Sequence, residues 1–262
     1  MSEPVLHLRD LRVRYGSKPP VLDVDSLEIA AGEIVCVIGP SGSGKTTLLR
    51  LVNGYVRGDR GELEVLGTTV QSGSGGATGR RDRSLRRRVG FVFQNFNVIE
   101  RASVFRNVLW GSLGRQCGVG ALLGRFPESD RRLAMDAIAE VDLLEQTTQR
   151  VDTLSGGQRQ RVGVARVIVQ QPDLVLADEA VSSLDPVLAA EIVELLVGVA
   201  RRRGKTLIMS LHVPALARRF ADRVVGLRAG KVVWDEAAHA LDDTAIASIY
   251  GSAPPPTSAD GP

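Results

Sequence analysis

The sequence predicts an α/β fold, with an antiparallel β subdomain at its N-terminal end and an α-helical subdomain inserted into its core. Three observations carry that expectation. Short apolar runs at 34–38, 174–177 and 206–211 read as strands buried on both faces, as in a parallel sheet. Rough alternation of apolar and polar residues over 5–15, resuming over 21–29, reads as an antiparallel pair. Between about 97 and 150 the apolar residues recur at helical spacing instead.

Bulk properties suit such a chain. Its 262 residues can bury a core as one large domain or two lobes, and 44% apolar with 24% charged is ordinary for a soluble globular protein. No apolar run approaches the ~18 residues of a membrane span. The start, Met1-Ser2-Glu3-Pro4, has neither a basic n-region nor an apolar h-region, so no secretory signal is expected. Cys36 lies in a strand run and Cys117 far along the chain, which suits a reducing cytoplasm better than a disulfide framework. Net charge is only +3, but arginines cluster at 80, 81, 83, 86, 87 and 88 and again at 201–203. With no interleaved aromatics these read as solvated faces, and no nucleic-acid partner is expected.

In chain order, Gly16-Ser17-Lys18-Pro19-Pro20 breaks the first alternating run just after Tyr15. The Tyr15 ring suits either stacking on a nucleotide base or packing in the strand, and spacing alone does not choose. The run 34–38 then leads into Gly39, Pro40, Ser41, Gly42, Ser43, Gly44, Lys45 and Thr46, after which Thr47, Leu48, Leu49 and Leu51 open a helix. This is G-x-x-x-x-G-K-[ST], the Walker A loop, with the strand and helix that its mechanism requires on either side. It marks a nucleotide site in a P-loop NTPase core. Successive backbone N–H groups and the positive helix end face phosphates, Lys45 reaches the β- and γ-phosphates, and Thr46 ligates Mg²⁺.

A second short strand pair is expected at 61–66 and 68–70 around Gly67, followed by a flexible low-complexity insert at 71–79. A strand over 88–93 ends at Gln94, whose amide is placed either to touch Mg²⁺ or a water, or to lie on the surface. Helical patterns follow at 97–112 (Val104, Val108, Leu109) and more strongly at 128–145, with Leu133, Ala134, Ala137, Ile138, Val141, Leu144 and Ser129 as the cap. Next comes Leu154-Ser155-Gly156-Gly157-Gln158 and a helix to Gln171, stopped by Pro172, which extends the helical subdomain to about 170. Two glycines at a helix start offer exposed N–H groups to an anion, a second phosphate site with no lysine of its own.

The apolar run 174–177 delivers Asp178 and Glu179 at its carboxyl end, the edge where open α/β sheets bind ligands. Asp178 suits holding Mg²⁺, and Glu179 suits polarising the attacking water. Asp185 before Pro186 reads as a helix cap. The run 206–211 ends at His212, which is expected near the γ-phosphate. A hairpin is expected at 224–227 and 231–234, and a disordered Pro-rich tail from about 251.

Taken together, residues 4–236 resemble the ATP-binding subunits of ABC transporters. The most specific motif is Leu154-Ser155-Gly156-Gly157-Gln158, with Gln160 and Arg161 following, between Walker A and an Asp-Glu Walker B. The resemblance implies that Tyr15 stacks on the base, Gln94 and His212 flank the γ-phosphate, and Asp185 joins the partner's site. It also implies a homodimer in which Ser155, Gly156, Gly157 and Gln158 of one copy close in trans on the other's ATP, with Mg²⁺ as cofactor. Transmembrane permease subunits, an extracytoplasmic binding protein acting indirectly, and a peripheral place on the cytoplasmic membrane face follow likewise. The domain is then expected to span 1–250.

Stretches at 90–97, 177–186 and 226–230 are similar to phosphonate importer ATPases. Ala180 departs from that pattern, standing where the family commonly has proline, and so loosens the turn carrying Glu179 without removing a catalytic group. The rivals are an importer or exporter ATPase for another substrate, and a soluble ABC-type ATPase acting on nucleic acid or the ribosome. The arginine clusters motivate the last. A single nucleotide module without a long coiled-coil insert speaks against it.

Overall fold

The computed structural model describes residues 4–16, 18–73, 83–93, 98–116, 124–181 and 184–251. Most of the 71–79 insert, Cys117, Gln94 and the tail beyond Gly251 lie outside them.

The N-terminal strands β1 (Pro4–Val13) and β2 (Leu22–Ala30) pair antiparallel, with Leu8 opposite Leu27 and Val13 opposite Leu22. Leu6 and Leu8, then Leu11 and Val13, face inward, and the alternation breaks at Asp10, whose φ is 46°. Strand β3 (Ile34–Ile38) is wholly buried and feeds α1 (Lys45–Val52). Strands β4 (Arg60–Val65) and β5 (Thr68–Gln71) complete a four-stranded antiparallel sheet in the order β2-β1-β4-β5. A short helix α2 (Arg83–Arg88), absent from the sequence expectation, precedes β6 (Val89–Phe93), so the strand begins one residue later than expected.

The helical subdomain differs in detail from its periodicity. Helix α3 (Val104–Leu109) is short, capped by Ser103 and continued by a 3₁₀ turn over Trp110–Gly114. Helix α4 (Glu128–Glu140) is preceded at its cap by Pro127, and Ser129 lies inside the helix rather than capping it. Pro127 holds the N-cap with ψ 149° and no side-chain hydrogen bond, and Glu128 and Asp130 answer the helix dipole in the first turn. Asp142 adopts φ 59°, which ends the helix and carries Leu144 onto an exposed 3₁₀ turn instead of the core face. Helix α5 (Gly156–Gln170) then ends at Gln171 in the left-handed region before Pro172.

Strand β7 (Leu174–Asp178), helix α6 (Pro186–Arg202), strand β8 (Thr206–Ser210) and helix α7 (Pro214–Phe220) follow. The hairpin β9 (Arg223–Arg228) and β10 (Lys231–Ala237) leads to α8 (Asp243–Tyr250). The core sheet is six-stranded in the order β10-β9-β3-β8-β7-β6, parallel except for β10.

Its strands are apolar throughout because both faces are covered. Val35 and Val37 join α1 and the antiparallel sheet in one core, while Ile34, Cys36 and Ile38 join α4, α5, α6 and α8 in the other. Burial pushes the Cys36 thiol well above its ordinary range.

Candidate nucleotide site

Strand β3 lies between β8 and β9, so the loop that leaves it emerges at the carboxyl edge of the parallel sheet. Gly39 has φ 148°, and a Cβ there would fall 2.0 Å from the Leu227 carbonyl oxygen. Only glycine fits. Gly44 caps α1 in the left-handed region without a side-chain bond. Lys45 is 3% exposed, and its ammonium donates to the carbonyls of Gly39 at 2.8 Å and Pro40 at 3.1 Å. Burial pulls its pKa down, and the charges of Glu179 and Asp178 act against that pull.

Opposite the loop, Thr46 Oγ1 donates to Asp178 Oδ1 at 3.0 Å. The Ser210 hydroxyl donates to the same carboxylate oxygen at 3.0 Å and accepts from the Glu179 amide at 2.8 Å. Glu179 has φ 46°, and its Oε1 lies 2.7 Å from His212 Nε2. A proline at 180 would drive the preceding residue toward extended backbone, so Ala180 leaves this conformation open. Because β8 lies between β3 and β7, His212 leaves the sheet between the phosphate loop and the acidic pair.

These residues fit a magnesium nucleotide. Thr46 and Asp178 present a hydroxyl and a carboxylate side by side, hard oxygens of the kind Mg²⁺ takes in ones and twos. Among the described residues the buried Ser43 hydroxyl in the loop has no hydrogen-bond partner, and the Lys45 ammonium bonds only to loop carbonyls.

Other expected residues sit apart. The Tyr15 ring is 49% exposed in the turn after β1, because the strand stops at Val13; it does not pack within the strand. Strand β6 ends at Phe93, in register with Asp178, but Gln94 lies outside the described residues. Ser155 caps α5 reciprocally with Gln158: the Gln158 amide donates to Ser155 Oγ at 3.2 Å, and the Ser155 amide to Gln158 Oε1 at 3.0 Å.

The two signature glycines differ in what surrounds them. A Cβ at Gly157 would lie 2.6 Å from Leu188, so this glycine lets α5 approach α6. A Cβ at Gly156 would meet only ordinary contact with Leu184. Asp185 caps α6 through the amides of Val187 and Leu188, as expected. Helix α5 packs on α3, α4, α6 and β6, whereas α1 packs on β7 and β8.

Ser210 escaped the sequence reading, although a hydroxyl directly after the apolar Leu207, Ile208 and Met209 was a usable signal. Tyr250, which reaches His212, gave none. The arginines at 201–203 are engaged within the chain, with Asp222 at 2.8 Å and Glu140 at 2.9 and 2.6 Å.

A phosphate loop, an acidic pair on the next strand but one and a histidine turn between them define a P-loop nucleotide-binding protein of the ATP-binding-cassette class. Comparison with known proteins agrees. A family model described as ABC transporter matches residues 22–182. Phosphonates import ATP-binding protein PhnC of Frankia casuarinae is 47% identical over 234 residues, covering 89% of this chain and 91% of that protein. PhnC of Caulobacter vibrioides is 43% identical over 252 residues, covering 95% and 94%.

Among solved structures, an ATP-binding cassette dimer in a post-hydrolysis state with ADP and Pi superposes at TM-score 0.75 with 28% identity, covering 89% of this chain and 98% of that one. The cbiO1 subunit from Clostridium perfringens shares the fold at TM-score 0.78 and 24% identity, over 90% of each chain. The chain belongs to the ABC transporter family, as an ATP-binding subunit.

Proposed function

We propose that this chain is the ATP-hydrolysing subunit of an importer for phosphonates or a related oxyanion, working as a homodimer on the cytoplasmic face of the membrane. The observation that carries the catalytic part is the Glu179 carboxylate beside His212, its amide bonded to Ser210, next to the Asp178–Thr46 pair. The substrate rests on the PhnC relatives.

The nucleotide base stacks on Tyr15, and the phosphates lie against the amides of residues 39–47 and the Lys45 ammonium. Glu179 orients water for in-line attack on the γ-phosphate, while Lys45, Gln94 and His212 position groups and stabilise developing charge. Thr46, Asp178 and Gln94 are the proposed ligands of Mg²⁺, which when bound neutralises charge on the phosphate oxygens.

The second copy contributes Ser155, Gly156, Gly157, Gln158 and Asp185. Because Ser155 and Gln158 already cap their own helix, its free end amides and positive dipole are the main contribution to the partner's phosphate. Residues 1–250 act as one ATP-binding domain, with the helical subdomain at about 97–170 docking the permease subunits. A cleft of about 440 Å³ where this subdomain meets the core, lined by Tyr55, Arg86, Phe93, Trp110 and Arg166, supports that surface. No helix among the described residues is long and apolar enough to cross a membrane, which suits a subunit that works through separate permeases.

The test is co-purification with the membrane partners, followed by ATPase assays with the binding protein and a panel of phosphonate, phosphite and phosphate. Stimulation by phosphonates is expected. Stimulation by an unrelated ligand class alone contradicts the substrate, and absence of MgATP hydrolysis contradicts the activity.

A further inference from the structure

Helix α8 packs on β9 and β10, beside the strand that feeds the phosphate loop. Ile38, the last residue before the phosphate loop, is in register with Gly226 on β9, and a Cβ at Gly226 would lie 2.6 Å from Ile249. Lacking a side chain there, β9 lets α8 approach closely, and the next residue, Tyr250, reaches over the strand ends. The Arg228 guanidinium holds the end of the helix by donating to the Ser248 carbonyl at 3.2 Å. The Tyr250 hydroxyl donates to the backbone carbonyl of His212 at 3.3 Å. Burial pushes the phenol up to about 12.

The turn that carries His212 has few ties of its own. Val213 caps α7 without a side-chain bond, and Pro214 has no N–H to give. Leu211 is tied to β3 through the Val37 carbonyl at 3.1 Å. One residue on, the His212 carbonyl is held by Tyr250, and the His212 side chain meets Glu179 at 2.7 Å.

We propose that Tyr250 is a positioning residue for hydrolysis: its hydroxyl ties the His212 turn to the end of helix α8, which packs on β9 next to the strand that feeds the phosphate loop, and so holds the His212–Glu179 pair in place. This rests on the ATPase reading above. Tyr250 touches no reacting group. It acts through the backbone of His212, so its loss lowers turnover while leaving nucleotide affinity in place.

The test is Tyr250→Phe, which keeps the ring packing and deletes the hydroxyl. In ATPase assays kcat should fall roughly three- to tenfold, the scale of one lost hydrogen bond, with KM for ATP changed by less than about twofold. The melting temperature should stay within about 2 °C of wild type. Deuterium uptake should rise in peptides spanning 211–214 but not in α8 itself. Unchanged kcat and unchanged exchange at 211–214 would overturn the proposal. So would a parallel fall in kcat and thermal stability, which marks a packing role. If the wild-type chain hydrolyses no ATP, the functional reading fails on its own, and exchange at 211–214 still decides whether Tyr250 holds the turn.

Discussion

His212 Nε2 lies 2.7 Å from Glu179 Oε1, and the two residues sit at the ends of adjacent parallel strands, β8 and β7. Glu179 takes this place only by adopting φ 46°, a conformation that costs a non-glycine residue of order 1–3 kcal/mol. The bond from its amide to Ser210 Oγ offsets part of that cost and fixes where the carboxylate projects. The pair is therefore set by the sheet, with a buried serine beneath it.

Ser210→Ala removes that support. The Glu179 amide and the Asp178 carboxylate each lose a buried partner, so stability should drop by about 1–2 kcal/mol in urea melts. Because the lost bonds orient Glu179 and Asp178, kcat should fall more than KM for ATP rises. A variant with wild-type kcat would remove Ser210 from the site.

Lys45→Ala should weaken nucleotide binding by on the order of tenfold or more, the scale of a charge-assisted phosphate contact. Titration with a fluorescent nucleotide measures this. Folding stability should change little, since burial already disfavours the Lys45 ammonium and its removal partly offsets the loss of the bonds to the Gly39 and Pro40 carbonyls. An unchanged Kd would contradict the phosphate role.

Asp173 ties Arg88, before β6, to Lys205, before β8, with contacts of 2.7 and 3.1 Å. Burial raises its pKa, but the two hydrogen bonds outweigh burial and hold it below the ordinary carboxylate range. The folded state thus binds fewer protons than the unfolded one. Its contribution is complete above the unfolded value of about 3.9 and is lost as pH falls through the folded pKa. Asp173→Asn should cost less than about 1 kcal/mol at pH 7, because the site is partly exposed and screened. The wild-type advantage should shrink as pH falls below about 4. An advantage that grows on acidification would reverse the assignment.

Much of this was legible in the residues, for particular reasons. The phosphate loop is a local object: its glycines, lysine and threonine lie in one short stretch between β3 and α1, so the motif could be read without distant contacts. Asp185 before Pro186 is equally local, and its carboxylate accepts from the amides of Val187 and Leu188 as a cap. Strands β3, β7 and β8 announced themselves as apolar runs because both faces of the sheet are covered.

What the residues did not reveal depends on distant contacts or on weak helical signals. Helix α2 is an arginine-rich turn and a half without an apolar stripe, and α7 is seven residues long. The Ser129 cap lost to Pro127, one position before the helix begins. Gly157 looked like an anion contact, but the nearness of Leu188 gives it a packing duty as well. The reach of Tyr250 to His212 arises only where Ile249 lies over Gly226, from segments far apart in the chain.

The most direct measurement of the central claim is the molar mass of Glu179→Gln in solution, with and without saturating MgATP. The amide keeps the shape of the site but no longer accepts a proton from water, so turnover should fall on the order of a hundredfold or more while ATP still binds. The expected result is a monomer without nucleotide and a dimer with it, as ATP joins the 39–46 loop of one copy to the Ser155 helix end of the other. A variant that binds ATP yet stays strictly monomeric, or one that turns over at the wild-type rate, would contradict it.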